Sequence, residues 1–276
     1  MAIITVSRGS YSFGKIISER VAQVLGYKCI SREVLVETAS KHHVREKDLF
    51  KALHDSPSFF ENKKNREKYL NMIKATLIKH AMEDNLIYHG NAGHFLLPNI
   101  SCLLKVRLVA DLNERIELVM KLRNINENEA KKEIEKEDRQ RSQWTKILYN
   151  QDLNSPFLYD IIIHIQKIDI DKACNIICNI IEDDRFNMTD MCKKKLIDEY
   201  ILTLAKIELF DESIEDMSVQ DRILKIKVKL PKIRKTNPVS PSLEKDINKS
   251  IIDDTMLSIY KRLKNIPYLK DIMFEV

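Results

Sequence analysis

Two glycines and a lysine in Gly9-Ser10-Tyr11-Ser12-Phe13-Gly14-Lys15 stand at the spacing GxxxxGK, the first seven positions of a loop that holds phosphate. In such a loop the backbone N–H groups and the N-terminus of the following helix surround a polyphosphate, while the lysine ammonium neutralises its outer groups. The next residue is Ile16, where the full pattern carries Ser or Thr to ligate Mg²⁺. The loop therefore offers no hydroxyl at the usual metal position. Tyr11 and Phe13 are bulkier than the small residues that let a backbone approach phosphate closely. The plain alternative is a strand-to-helix turn with an incidental lysine.

No second chemistry competes with this loop. His42, His43, His54, His80, His89, His94 and His164 show no HExxH or other ligand spacing, so no metal site is expected on protein ligands alone. No Ser-His-Asp or Cys-His constellation is legible. His89 and His94 flank Gly90 after a strand-like run, where open α/β sheets receive ligands; a nucleotide contact and a hydrogen-bonded supporting role both stay open. Trp144 and Tyr149 either stack a base or pack a helix. The cysteines are Cys29, Cys102, Cys174, Cys178 and Cys192, an odd number without a CxxC pair. Buried reduced thiols in a cytoplasmic protein are expected.

The elements that must position the loop follow from periodicity. Ala2 to Val6 reads as a buried strand; Ile17, Val21, Val24 and Leu25 repeat at helical spacing, and Gly26 closes that helix. Lys28 to Ile30 is a second strand. Arg32 to Glu83 is helical, interrupted by a polar stretch from His54 to Asn65. Leu86 to His89 and Leu103 to Ala110 are two further strands, Leu112 to Arg123 an amphipathic helix, and Glu127 to Gln143 a charged exposed helix supported by pairs such as Glu135 with Arg139 and Glu137 with Arg141. Tyr159 to Ile165 and Ile170 to Ile181 add a last strand and helix. Five strands alternating with helices imply an α/β fold with a parallel sheet covered on both faces.

The chain's 276 residues suit two domains, and the polar stretch Glu182 to Asp190 divides them into 1–185 and 190–276. The later part reads as a small α+β unit of helix, strand, strand, helix, strand. Its second strand alternates Leu224, Ile226, Val228 and Leu230 with Lys225, Lys227 and Lys229. Lys plus Arg number 46 against 41 Asp plus Glu, spread over both halves. That balance argues against a nucleic-acid partner. No apolar run approaches the length of a membrane span, and the N-terminus shows no secretory signal.

Together these residues resemble the cytidylate kinase-like branch of the nucleoside monophosphate kinases, within the P-loop superfamily, over about Ile3 to Ile181. The resemblance is carried by Ile3-Ile4-Thr5-Val6-Ser7-Arg8, Gly14-Lys15, Leu25-Gly26-Tyr27, Ser31-Arg32-Glu33, the segment from Leu86 to Leu97, Asp138-Arg139-Gln140-Arg141 and Leu158-Tyr159-Asp160. It implies transfer of the γ-phosphoryl group of ATP, with Mg²⁺, to CMP or dCMP. It further implies that Gly9, Ser10, Tyr11, Ser12, Phe13, Gly14, Lys15 and Ile16 bind ATP, and that Lys15, Arg139 and Arg141 balance the transferring charge. Arg8, Arg32, Gly90, Asn91, Arg115 and Asp160 would face the substrate. Arg139 and Arg141 lie two apart, about 200° around a regular helix, so both can reach phosphate only if the helix ends or bends there. Three departures stand against the family pattern. Ser31 replaces an Asp, Asn91 replaces an Arg, and Ile16 leaves the metal to water and substrate oxygens. A nucleotide-binding sensor without transfer is therefore the competing reading. The C-terminal unit resembles a BON-type module, with Asp221-Arg222 where that family has Asp-Gly; an unrelated regulatory or dimerisation domain is the alternative. A homodimer and an unidentified ligand of this unit stay open.

Overall fold

The computed structural model describes residues 2–55, 63–83, 85–97, 100–228 and 241–275. Most of the expected polar interruption between His54 and Asn65, together with Lys229, Leu230 and most of the Pro-containing loop Asn237 to Ser242, lies outside the described residues.

In the first unit β1 (Ile3–Arg8) leads through the glycine loop into α1 (Gly14–Leu25), and β2 (Lys28–Ile30) follows. Gly26 ends α1 at φ 69°, its N–H bonding Ala22 O, because only a left-handed residue can close the helix and redirect the chain so sharply. Three helices, α2 (Glu33–His42), α3 (Glu46–His54) and α4 (Lys63–Met82), precede β3 (Leu86–Tyr88). The short α5 (Gly93–Leu96), β4 (Leu103–Ala110), α6 (Leu112–Arg123), α7 (Glu127–Tyr149), β5 (Ile161–Ile165) and α8 (Ile170–Ile181) complete it. Asn126 starts α7 with a capping box, its side chain accepting from Glu129 N while Glu129 reaches back.

The sheet order is β2-β3-β1-β4-β5, and every pair is parallel. Ile4, Val6, Val106, Leu108 and Ile163 pack with Ile17 and Val21 of α1 and Ile177 of α8 into one core. Burial on both faces explains why these strands read as continuous apolar runs rather than alternating ones. Strand order reverses beside β1, so the crevice outside Arg8 and the end of β3 is where such a sheet receives ligands.

The second unit begins at Lys194, within α9 (Asp190–Glu208). Here β6 (Ile214–Gln220) pairs antiparallel with β7 (Ile223–Val228), and β8 (Asp271–Glu275) pairs parallel with β7. α10 (Pro241–Leu263) lies between β7 and β8 in the chain. Leu224, Ile226 and Val228 are buried with Ile201 and Ala205 of α9 and Ile259 and Leu263 of α10, while Lys225 and Lys227 are exposed. The expected element order is present; the BON-type resemblance rests on that order alone.

One expectation fails. Cys102, just before β4, and Cys192, in the first turn of α9, form a disulfide with Cα atoms 6.3 Å apart; Cys29, Cys174 and Cys178 are free. The partners are 90 residues apart in sequence and meet only through the fold, so spacing could not reveal them. The cysteine argument for a reducing compartment goes with it.

Candidate phosphate site

β1 delivers the loop to the C-terminal end of the sheet, where Gly9 N–H bonds Leu108 O at 3.1 Å. Tyr11 and Phe13 take left-handed φ values of 61° and 58°, a conformation uncommon for bulky side chains and costing about 1–3 kcal/mol each. Phe13 is the N-cap of α1, so its conformation turns the chain into the helix. Gly14 is required by space: a Cβ there would come within 2.3 Å of Arg8 Cδ. The Arg8 side chain thus crosses the loop and donates to the backbone carbonyl of His89 at the end of β3.

Arg141 Nη1 donates to Arg8 O at 3.1 Å, and its Nη2 lies 3.7 Å from Glu137. Burial, reinforced by the nearby Arg141 charge, lowers the Arg8 guanidinium to about 10. Burial also lowers Arg141, though Glu137 and Asp138 oppose the shift. Two desolvated cations side by side constitute an electrostatic cost that an anion would relieve. A cavity of 370 Å³ opens onto Lys15, Arg8, Arg141, Phe13, Ile16 and Glu137. A second, of 210 Å³, shares Arg8, Ser12 and Arg141 and adds Arg107, Arg115 and Asn154. The Ser12 hydroxyl is fully buried and has no hydrogen-bond partner among the described residues.

Arg115 reaches from α6, its Nε donating to Ser10 O at 2.7 Å and its Nη2 to Asp138. Asp138 in turn accepts from Ser10 N–H at 3.0 Å. Burial alone would raise this carboxyl, but the Arg115 and Ser10 hydrogen bonds outweigh it and hold Asp138 below its usual range. Arg107 is buried on β4, donating to Tyr159 Oη at 3.1 Å and Asn154 Oδ1 at 2.9 Å.

Several sequence candidates lie elsewhere. α7 runs unbroken from Glu127 to Tyr149, so the helix does not end between the two arginines: Arg141 is turned inward and Arg139 is exposed. Arg32 is exposed and bonds Glu46 at 2.7 Å. Asn91 Nδ2 donates to Leu53 O at 2.7 Å, which ties it to α3. Gly90 makes room for Tyr88, which a Cβ would meet at 2.2 Å. Asp160 accepts from Lys105 N–H at 2.7 Å, well back along β4 from the loop, and caps the sheet edge there. Trp144 is buried, its Nε1 donating to Ala52 O at 2.9 Å, and Tyr149 stacks on Phe95; both aromatics pack α7. Lys15, by contrast, does line the 370 Å³ cavity, with its side chain 70% exposed and 3.8 Å from Glu19. Asp138 belongs to a motif the sequence shows, but its contact with the loop was not read from it. Its signal was the spacing of Ile134, Asp138 and Arg141, three and four apart on one helix face.

No curated protein matches this chain. Among solved structures, an uncharacterized protein from Eubacterium ventriosum is 19% identical, with a TM-score of 0.53 over 66% of this chain and 99% of that one. This likeness supports the fold. Shikimate kinase from Bacteroides thetaiotaomicron is 11% identical at a TM-score of 0.40, over 66% and 99% of the two chains. Dephospho-CoA kinase from Campylobacter jejuni is 15% identical at 0.32, over 65% and 97%. The family model described as cytidylate kinase-like matches residues 3–167, the span that holds the glycine loop, the inward face of α7 and all five strands, and the chain belongs to that cytidylate kinase-like family.

Proposed function

We propose that the first unit transfers the γ-phosphoryl group of ATP to a nucleoside monophosphate, CMP or dCMP. Family membership supports a nucleotide kinase; the acceptor is our reading. The observation that carries it is the meeting of Lys15, Arg8 and Arg141 on one cavity at the mouth of a glycine-framed loop. Phosphoryl transfer needs positioning and charge balance more than covalent chemistry. Two desolvated guanidiniums and an ammonium provide that balance without reorganising water. The Ser12 hydroxyl adds a donor. Phe13 lines both this cavity and a 580 Å³ groove between α6 and the end of β5, beside Glu114 and Gln166, which suits the nucleoside part of the donor.

The residues present do not fit a protein-held Mg²⁺. Ile16 has no hydroxyl, and among the described residues no three His, Cys, Asp or Glu side chains converge. A metal arriving on the nucleotide's own phosphates is compatible with the site, and no step is derived through it. No helix among the described residues is long and apolar enough to cross a membrane, and the reading places the protein with the cytoplasmic ATP pool.

Ser31, Ile16 and the engaged Asn91 favour a second reading, nucleotide sensing without transfer. A coupled ADP-release assay across CMP, dCMP, UMP and AMP separates the two. Turnover with a cytidine nucleotide supports the kinase. ATP-dependent thermal stabilisation without turnover on any acceptor supports the sensor.

A further inference from the structure

Arg8 at the end of β1 and the loop residues Ser10 and Tyr11 each bond α7, and their partners are spaced along one face of that helix. The Tyr11 hydroxyl donates to Glu133 and lies 3.4 Å from Glu137. Ser10 N–H donates to Asp138, and Arg8 O accepts from Arg141. Glu133, Glu137 and Arg141 are four apart, so they form one stripe. Arg123 of α6 lies 3.6 Å from Glu133 and offsets its charge. Burial and the Glu133 hydrogen bond raise Tyr11 to about 12, so the phenol remains a donor throughout the neutral and mildly alkaline range. The position is also strained, with an aromatic residue at φ 61° where glycine would be free.

We propose that Tyr11 is a positioning residue: its hydroxyl straps the phosphate loop to α7 and so fixes where Arg141 stands. Bulk at this position, unfavourable for a loop that must approach phosphate, thereby gains a purpose. Arg141 is then held at the loop before nucleotide arrives, and α7 need not swing in to deliver it. The proposal rests on the nucleotide-binding reading of the loop for its effect on ligand, but not for its effect on the helix.

The test uses the full chain with Tyr11→Phe, which removes only the hydroxyl, and Tyr11→Gly, which also frees the backbone. Two readouts are taken, ATP affinity by calorimetry and amide hydrogen exchange across α7. Losing a hydrogen bond to a charged group predicts an ATP Kd raised roughly tenfold in both variants. Exchange should accelerate at residues 133–141 but not in α8. Rescue of affinity by Tyr11→Gly would show that backbone shape alone matters and would overturn the proposal. So would unchanged exchange in Tyr11→Phe, or wild-type-like ATP binding by that variant. Should the wild type bind no nucleotide, the kinase and sensor readings both fail, while the exchange readout still decides the strap.

Discussion

The two flanks of the phosphate loop bury opposite kinds of group. Towards α6 and α7 the side chains are charged: Arg115 and Arg141 with Glu137 and Asp138, while Arg8 spans the two flanks, its carbonyl on Arg141 and its guanidinium on the His89 carbonyl. Towards β3 and α5 they are imidazoles held neutral. Burial, then the Arg8 charge, lowers His89 to about 4, and burial, then Arg107, lowers His94 to about 3. The residues that the family resemblance would charge on this side are Ser31, which is neutral, and Asn91, which is neutral and tied to Leu53. A guanidinium keeps its proton even when desolvated, whereas an imidazole gives it up. The chain thus concentrates its fixed charge where a polyphosphate would lie and leaves the other flank to hydrogen bonding and shape.

The contrast breaks first at Arg141. Arg141→Met should cost about 10²–10³ in kcat/KM on the best acceptor, comparable to losing one strong electrostatic donor in a transition state. Because it also removes a desolvated cation, its melting temperature should hold within a few degrees. A parallel loss of activity and of cooperative melting would mean that Arg141 is structural.

The imidazole flank should announce itself in acid. His89 and His94 are neutral in the folded chain but take up protons near pH 6.5 when unfolded, so stability is complete above about pH 6.5 and falls as pH drops towards the folded values. Each should remove about 1.4 kcal/mol per pH unit in that window, or on the order of 3 kcal/mol near pH 4.5. Urea melts at pH 7, 6 and 5 give the slope. His94→Leu should shallow it by about one proton, and an unchanged slope would show that His94 is protonated in the fold.

Recharging the neutral flank is the next, smaller effect. In the kinase reading, Ser31→Asp with Asn91→Arg should raise kcat/KM for CMP about tenfold over AMP, the worth of one charge-assisted contact. A rise that does not distinguish the acceptors would place the pair outside acceptor recognition. The smallest effect belongs to Arg139. It is exposed, so Arg139→Gln should change both stability and turnover by under about 0.5 kcal/mol, and a large loss would bring it back into the site.

What was readable in the sequence was local. The glycine loop, the Gly26 cap, the buried strands and the hairpin with alternating Leu224, Lys225 and Ile226 each depend on neighbours within a few residues. The loop's position after the first strand followed from that pattern. The Cys102–Cys192 bond and the reach of Asp138 to Ser10, across 128 residues, depend on the assembled fold and leave no local trace. Arg139 shows the intermediate case. The divergence from Arg141, about 200°, follows from the sequence, but whether α7 would end there was decided by packing, with Trp144 and Ile134 both buried along one unbroken helix.

Trp144 is the chain's single tryptophan, and it sits on α7 with its indole N–H given to Ala52 of α3. The protein therefore carries its own fluorophore on the helix that also presents Arg141. Any rearrangement of that helix, on ligand addition or on dilution into denaturant, should shift emission without a label, and no other indole would blur the signal.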